Sequence, residues 1–176
     1  TMHKVLDINH YLQDGFYKIA DVEPQLGNAK KWQYTNQHPD LYSEHRCWVY
    51  MIVDGNEVVK IGETGQPLGI KKVHDDQPII SSECRFGRLR GAGGKGKHLD
   101  GTIIDTDTRI REKLQESVQQ GTITLYAKQC EERVIKDTIG GKPMSIVLQA
   151  HKNMEIQIIA YMKFHARLPR LNQSSK

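Results

Sequence analysis

The chain has 176 residues, 38% hydrophobic and 26% charged, with a formal net charge of +4 and a pI near 8.9. Those values describe one globular domain large enough for a substantial core, and no apolar run approaches the ~20 residues of a membrane-spanning helix. Three widely spaced cysteines, Cys47, Cys84 and Cys130, make no disulfide framework and no leader-like pattern opens the chain, so the expected location is a reducing cytoplasm.

Thr1 ahead of Met2 reads as an addition to the natural start. Residues 1–44 are polar and irregular, with Phe16, Tyr17, Trp32, Tyr34 and Tyr42 scattered among Gly, Pro, Asn and Gln. They carry no assignable element and read as an N-terminal arm, either covering a sheet or serving dimerisation or ligand contact.

From Trp48 to Thr64, two apolar, β-branched-rich runs flank Asp54-Gly55-Asn56, a strong hairpin signal with strands at about 45–53 and 57–62. A three-residue loop sets Tyr50 opposite Lys60, about 5 Å away across the strands. A two-residue loop sets it opposite Val59. The first arrangement puts a phenol beside an ammonium, which lowers a tyrosine pKa.

After Pro67, residues 68–73 are expected to open a short helix that Pro78 interrupts. Ser81 to Arg90 reads as a second helical piece with serines at its start, placing Arg85, Arg88 and Leu89 on one face. From Arg85 to His98 there are five basic residues (Arg85, Arg88, Arg90, Lys95, Lys97) and no acid. The segment Gly91 to His98 nearly spells the phosphate loop G-x-x-x-x-G-K. His98 replaces the required Ser or Thr, however, and no strand feeds it, so it reads as a mobile basic loop that touches phosphate backbone.

Asp107 or Thr108 caps an amphipathic helix that runs to Gln120, with Ile110, Leu114 and Val118 on its apolar stripe and Gly121 as the stop. Thr122 to Ala127 alternates at period two, a third strand. Residues 130–147 are mixed, with a Gly140-Gly141 break. A last helix over about 152–167 sets Glu155 on the same face as Ile158, Ile159 and Met162, and a carboxylate on an apolar stripe needs a partner. The order hairpin, helix, helix, strand, helix predicts an α+β domain with a small three-stranded antiparallel β-sheet flanked by helices.

Five segments in this order resemble the GIY-YIG nuclease superfamily, over about residues 46–172, and most of all its type II restriction endonuclease members. Trp48-Val49-Tyr50 occupies the first motif and Lys60-Ile61-Gly62 the second, with lysine where most members carry tyrosine. Glu83 to Arg88 looks like the helix of the catalytic arginine, although Leu89 stands where many members have histidine. Glu155 falls at the metal-binding glutamate, and Pro169-Arg170-Leu171-Asn172 is similar to the terminal motif.

The resemblance implies a nuclease domain over 45–176, with a basic Gly-rich insertion around 71–100 and the arm at 1–44 for dimerisation or DNA contact. Tyr50 would be the general base, assisted by Lys60. Arg85, with Arg88 or Arg90 as the alternative, would clamp the phosphate. Glu155 would hold one Mg2+ or Mn2+ ion, and Asn172 would support the site. Arg88, Arg90, Lys95, Lys97, Lys71 and Lys72 would contact double-stranded DNA. Cutting both strands with one site per chain implies a homodimer or higher homo-oligomer, with no membrane partner. The alternatives are a phage homing or host-DNA-degrading nuclease, or a catalytically weakened DNA-binding module of the same fold. His74 and His98 lack metal-spaced companions, and the cysteines lack zinc spacing.

Overall fold

A computed structural model describes residues 2–91, 96–104 and 106–172. A short helix α1 (Met2–Val5) and a 3-10 turn (Ile8–Asp14) lead into β1 (Tyr17–Gln25) and β2 (Asn28–Thr35). After a second 3-10 turn (Pro39–Tyr42) come β3 (Trp48–Asp54), β4 (Glu57–Thr64) and the small hairpin β5 (Lys71–His74) and β6 (Gln77–Ile80). Helix α2 (Arg85–Leu89), the two-residue strands β7 (Gly96–Lys97) and β8 (Ile103–Ile104), helix α3 (Thr106–Gln119) and β9 (Ile123–Gln129) follow. A long hairpin, β10 (Glu132–Ile139) with β11 (Lys142–Gln149), runs directly into the last helix, α4 (Ala150–His165).

The main sheet is antiparallel and has five strands in the order β2-β1-β9-β3-β4. The α+β class is as expected, but three strands is a correction: β1 and β2 extend the sheet, and both come from the stretch read as an arm. A bulge between Lys18 and Ala20 hides β1 from a period-two reading. It buries Ile19 and Ala20 in succession, as bulges do when two residues oppose one.

Strand β3 lies between β9 and β4 and is buried from Trp48 to Val53, which explains its unbroken apolar run. On one face Tyr50, Ile52 and Leu125 pack with Phe86 and Leu89 of α2 and with Ile110, Leu114 and Val118 of α3. On the other, Val49, Met51 and Ile61 pack with Met162 of α4 and with Leu6, Ile8 and Tyr11. Two layers therefore cover one sheet, each burying an apolar stripe. Among the described residues no helix is long and apolar enough to cross a membrane.

The hairpin register differs from both sequence alternatives. The loop is Gly55-Asn56, closed by the pair Asp54 and Glu57, with Gly55 at φ 65°. A register shift beside Val59 then makes Ile52 the partner of Lys60 and Gly62 the partner of Tyr50. Tyr50 and Lys60 share a face, one cross-strand pair apart, because each step of two residues returns to the same side.

Three further expectations are corrected. Residues 68–73 do not form a helix, since Lys71–His74 pairs with Gln77–Ile80 about Asp75 and Asp76, both at positive φ, as hairpin turns of the primed types require. The helical piece at 81–90 contracts to the single turn α2. The mixed stretch after 130 is the β10–β11 hairpin, turning at Gly140 and Gly141 with positive φ. All of β10 is exposed, so no burial period marks it.

Both chain ends cover the outer edge of β4. Val58 N–H donates to the Leu6 carbonyl at 2.7 Å and Ile8 N–H to the Asn56 carbonyl at 2.9 Å. Further along, Leu171 N–H donates to the Val59 carbonyl. The Asn172 side chain accepts from Ile61 N–H and donates to the Ile61 carbonyl, each at 2.9 Å. A side-chain amide thus stands in for a neighbouring strand and closes an edge that would otherwise invite pairing. Asn172→Ala leaves those two backbone groups without protein partners, so urea unfolding should show a loss of about 1–3 kcal/mol; an unchanged midpoint would show that water replaces the amide freely.

Candidate active site

The cluster of interest forms where β3, β4, α2 and α3 meet. Gly62 faces Tyr50, and a Cβ there would overlap the Tyr50 Cζ and Oη, so only glycine leaves room for the ring. Phe86 meets the same ring edge to face, with centroids 5.6 Å apart. Held this way, the phenol is 3% exposed, and its oxygen accepts a hydrogen bond from Arg85 Nε at 2.8 Å.

The two remaining Arg85 nitrogens form a fork on the Asp107 carboxylate, at 3.1 and 2.7 Å. Asp107 lies in the first turn of α3, and no sequence signal separates it from an ordinary helix-start acid. The pair is mostly buried, with side-chain exposures of 14% for Arg85 and 26% for Asp107. The arginine's bidentate face, which a phosphate clamp would use, is directed at an internal anion.

Each ionisation reflects this packing. Burial pushes the Tyr50 phenol up, and the Arg85 charge and hydrogen bond pull it back without cancelling the rise, while Asp107 and Glu155 add to it. The cation that faces the phenol and bonds to its oxygen is Arg85. Burial works against the charge on Arg85, but Tyr50 and Asp107 more than restore it. Burial also opposes ionisation of Asp107, yet Arg85 outweighs it and holds the carboxyl below the usual range.

Lys60 and Glu155 form the second half of the cluster. Burial lowers the Lys60 ammonium, against the charge of Glu155, while Arg85 and Arg109 push it further down. Glu155, on α4, is raised by burial and by Glu63, with Lys60 opposing. Burial thus disfavours the charge on both groups, and each group's charge partly offsets the other's burial. Glu63 of β4 meets His151 of α4, Oε2 to Nε2 at 3.3 Å. That imidazole is 5% exposed, and among the described residues its Nδ1 has no hydrogen-bond partner.

Arg85 and Glu155 each interact electrostatically with both Tyr50 and Lys60, and Asn172 is fastened to Ile61 of the same strand as Lys60. The candidate DNA contacts are dispersed. Arg90 turns toward Gln25, its Nη1 3.4 Å from the Gln25 Oε1. Lys71 and Lys72 are exposed on β5, with the Lys71 ammonium 5.5 Å from the Tyr42 ring centre, and Lys97 is exposed on β7. Lys95 and the three residues before it in the Gly-rich loop lie outside the described residues. Arg88 opens onto a cleft with Glu63 and His151. The sequence reading missed Asp107, Glu63, Arg109 and His151; only His151, one turn before Glu155 on the same helix, carries a signal that spacing could reveal.

No protein-family model matches the sequence, and no curated protein matches it. Among solved structures, the fold is similar to that of a bacteriophage T4 EndoII mutant, at 15% sequence identity and a TM-score of 0.57 over 96% of this chain and 99% of that one. The structure of restriction endonuclease HPY188I in complex with product DNA gives 16% identity and a TM-score of 0.44, over 96% of this chain and 87% of that one. At such identities the first likeness is one of fold.

Replacing Asp107 by Asn leaves the buried Arg85 charge half met, and chemical denaturation at neutral pH should show a loss on the order of 3 kcal/mol. Because the Asp107 carboxyl is depressed in the folded state, its contribution is present above the ordinary aspartate range and lost as pH falls through the lower, folded value. The gap between wild type and Asp107→Asn should close in acid, and a gap independent of pH would remove the ion pair as its cause.

Proposed function

We propose that the protein is a metal-dependent endonuclease of double-stranded DNA, related to the GIY-YIG nucleases and acting as a site-specific type II restriction enzyme. The observation that carries this reading is the hydrogen bond from Arg85 Nε to the Tyr50 oxygen, on a face that also carries Lys60 within electrostatic reach of Glu155. A fold similar to that of bacteriophage T4 EndoII over nearly the whole chain supports it.

Phosphodiester hydrolysis needs a base for water, positive charge around the phosphate and a way to carry the leaving oxygen's charge. The buried phenol resists ionisation, and Arg85 is the group that favours its phenolate. Tyr50 then accepts the proton of a water as that oxygen bonds to phosphorus and the ester P–O bond breaks. The leaving oxygen takes its proton from solvent. Arg85, still tied to Asp107, offers the phosphate only the part of its charge that the carboxylate leaves unmet. Lys60 lies on the same face and adds positive charge near Glu155.

The residues fit a divalent cation at Glu155. Burial and the neighbouring Glu63 push its carboxyl up, a double penalty that a cation relieves. Among the described residues no three His, Cys, Asp or Glu groups converge into a protein cage, which suits an ion such as Mg2+ or Mn2+ that keeps several waters and takes one or two carboxylates plus phosphate oxygens. When bound, it supplies positive charge to the phosphate and the leaving oxygen. Two copies of the chain would bring one such cluster to each DNA strand.

The engagement of the Arg85 fork by Asp107 favours one rival, a module that binds DNA and cuts it poorly. Supercoiled plasmid with magnesium separates the two: nicked and linear products are expected, and a gel shift without cutting would make the protein a binding module. Glu155→Gln should abolish cleavage and leave DNA affinity in EDTA unchanged; cutting at the wild-type rate would remove Glu155 from the site.

The Tyr50 assignment predicts a pH profile. Because the phenol is raised, the phenolate fraction and the single-turnover rate should climb about tenfold per pH unit through neutrality. Tyr50→Phe should be slower by about 10²–10⁴-fold and lose that slope. A mutant that keeps the slope would make Tyr50 a packing residue.

A further inference from the structure

Beside the cluster lies a cleft of about 660 Å³ between the start of α4, the end of β4, α2 and the base of the β10–β11 hairpin. Four exposed cations reach it from four separate segments: Arg46 before β3, Arg88 on α2, Arg133 on β10 and Lys152 on α4. Arg133 is bound to Glu131. Among the described residues, no ion pair engages the side chains of Arg46, Arg88 or Lys152.

Two acids share the cleft. Glu132 accepts the backbone N–H of Arg46 at 2.7 Å, and Glu63 meets His151. The four cations outnumber the two lining carboxylates, Glu63 and Glu132, so the concavity is net positive and attracts anions. Cations carried on separate segments along one cleft suit a chain of phosphates that runs past them all.

The cleft also continues the catalytic cluster. Arg88 follows Arg85 on α2 by three residues, and Lys152 precedes Glu155 on α4 by three, so each lies nearly one helical turn, about 5 Å, from its catalytic neighbour. Glu63 touches both regions, lining the cleft and raising Glu155. A strand whose phosphate lies at Tyr50, Arg85 and Glu155 meets this cleft with its next phosphates.

We propose that the cleft is a backbone subsite in which Arg46, Arg88 and Lys152 hold the phosphates of duplex DNA that flank the one being cut. The proposal rests on the nuclease reading for the position of that scissile phosphate, though the binding itself needs no chemistry. Contacts of this kind set register along the duplex and carry no base specificity. The subsite therefore contributes affinity equally on all sequences.

The test is fluorescence anisotropy with labelled duplex DNA in EDTA across a salt series, for wild type and for the triple variant Arg46→Ala, Arg88→Ala, Lys152→Ala. Each phosphate contact contributes about 0.9 to the slope of log affinity against log salt. The triple variant should lose about 2.7 of that slope and bind unrelated duplexes with uniformly lower affinity. A loss of about two units or more supports the subsite and a smaller one overturns it. Should the triple variant fail to fold, Arg46→Ala and Lys152→Ala singly are expected to lose about 0.9 each, and an unchanged slope in both overturns the proposal. Displacement of DNA by inorganic phosphate at constant ionic strength would mark a pocket for a small free anion and also overturn it. Plasmid cleavage on the same samples keeps the two readings apart. Cleavage with an unaltered slope removes only the subsite, and a reduced slope without wild-type cleavage removes only the nuclease reading.

Discussion

A guanidinium withdrawn from water must have its charge met inside the protein, because an unpaired buried charge costs several kcal/mol. Arg85 meets that demand twice, through a phenol on β3 and a carboxylate on α3. One side chain thereby ties α2, a single turn with little stability of its own, to the central strand and to the longer helix. The same bonds give Tyr50 the cation that faces its oxygen. They also mean that any anion approaching Arg85 competes with Asp107, so the arrangement that stabilises the fold limits what the arginine can give to a ligand.

Strand β4 is the second constraint. As an edge strand it has one side free of the sheet, and the chain uses both termini to fill it. Its opposite neighbour is β3, against which Gly62 makes room for the Tyr50 ring. Lys60 sits between these demands, half-buried on the Tyr50 face. Lys60 on this edge strand and Tyr50 on its inner neighbour β3 share one face, which α2 approaches through Arg85. In the sheet's middle, β3 has hydrogen-bonded neighbours on both sides and is sealed on both faces.

Legibility followed the strength of local pattern. The stripe Ile110, Leu114 and Val118 announced α3, and the alternation Ile123, Leu125 and Ala127 announced β9; all six are buried. Glu155 stood out because a carboxylate among Ile158, Ile159 and Met162 conflicts with its surroundings. Local pattern failed where burial did not alternate. The bulge in β1 puts two buried residues in a row, and β10 is exposed on both faces. Asp107 was invisible as a site residue because its partner is 22 positions away, and nothing in a helix-start acid says which distant cation it meets.

The sequence by itself determined the α+β class, the central hairpin and the two principal helical stripes. These rest on interactions between near neighbours, whose spacing is written along the chain, whereas Tyr50, Lys60, Arg85 and Glu155 were grouped by resemblance to a nuclease family. Only the tertiary structure decided that Tyr50 faces Gly62, that Arg85 donates a hydrogen bond to its oxygen, and that the sheet has five strands. The register turns on one extra residue at Val59, and a single-residue shift in a hairpin exchanges every cross-strand partner beyond it while leaving the pattern of the sequence unchanged.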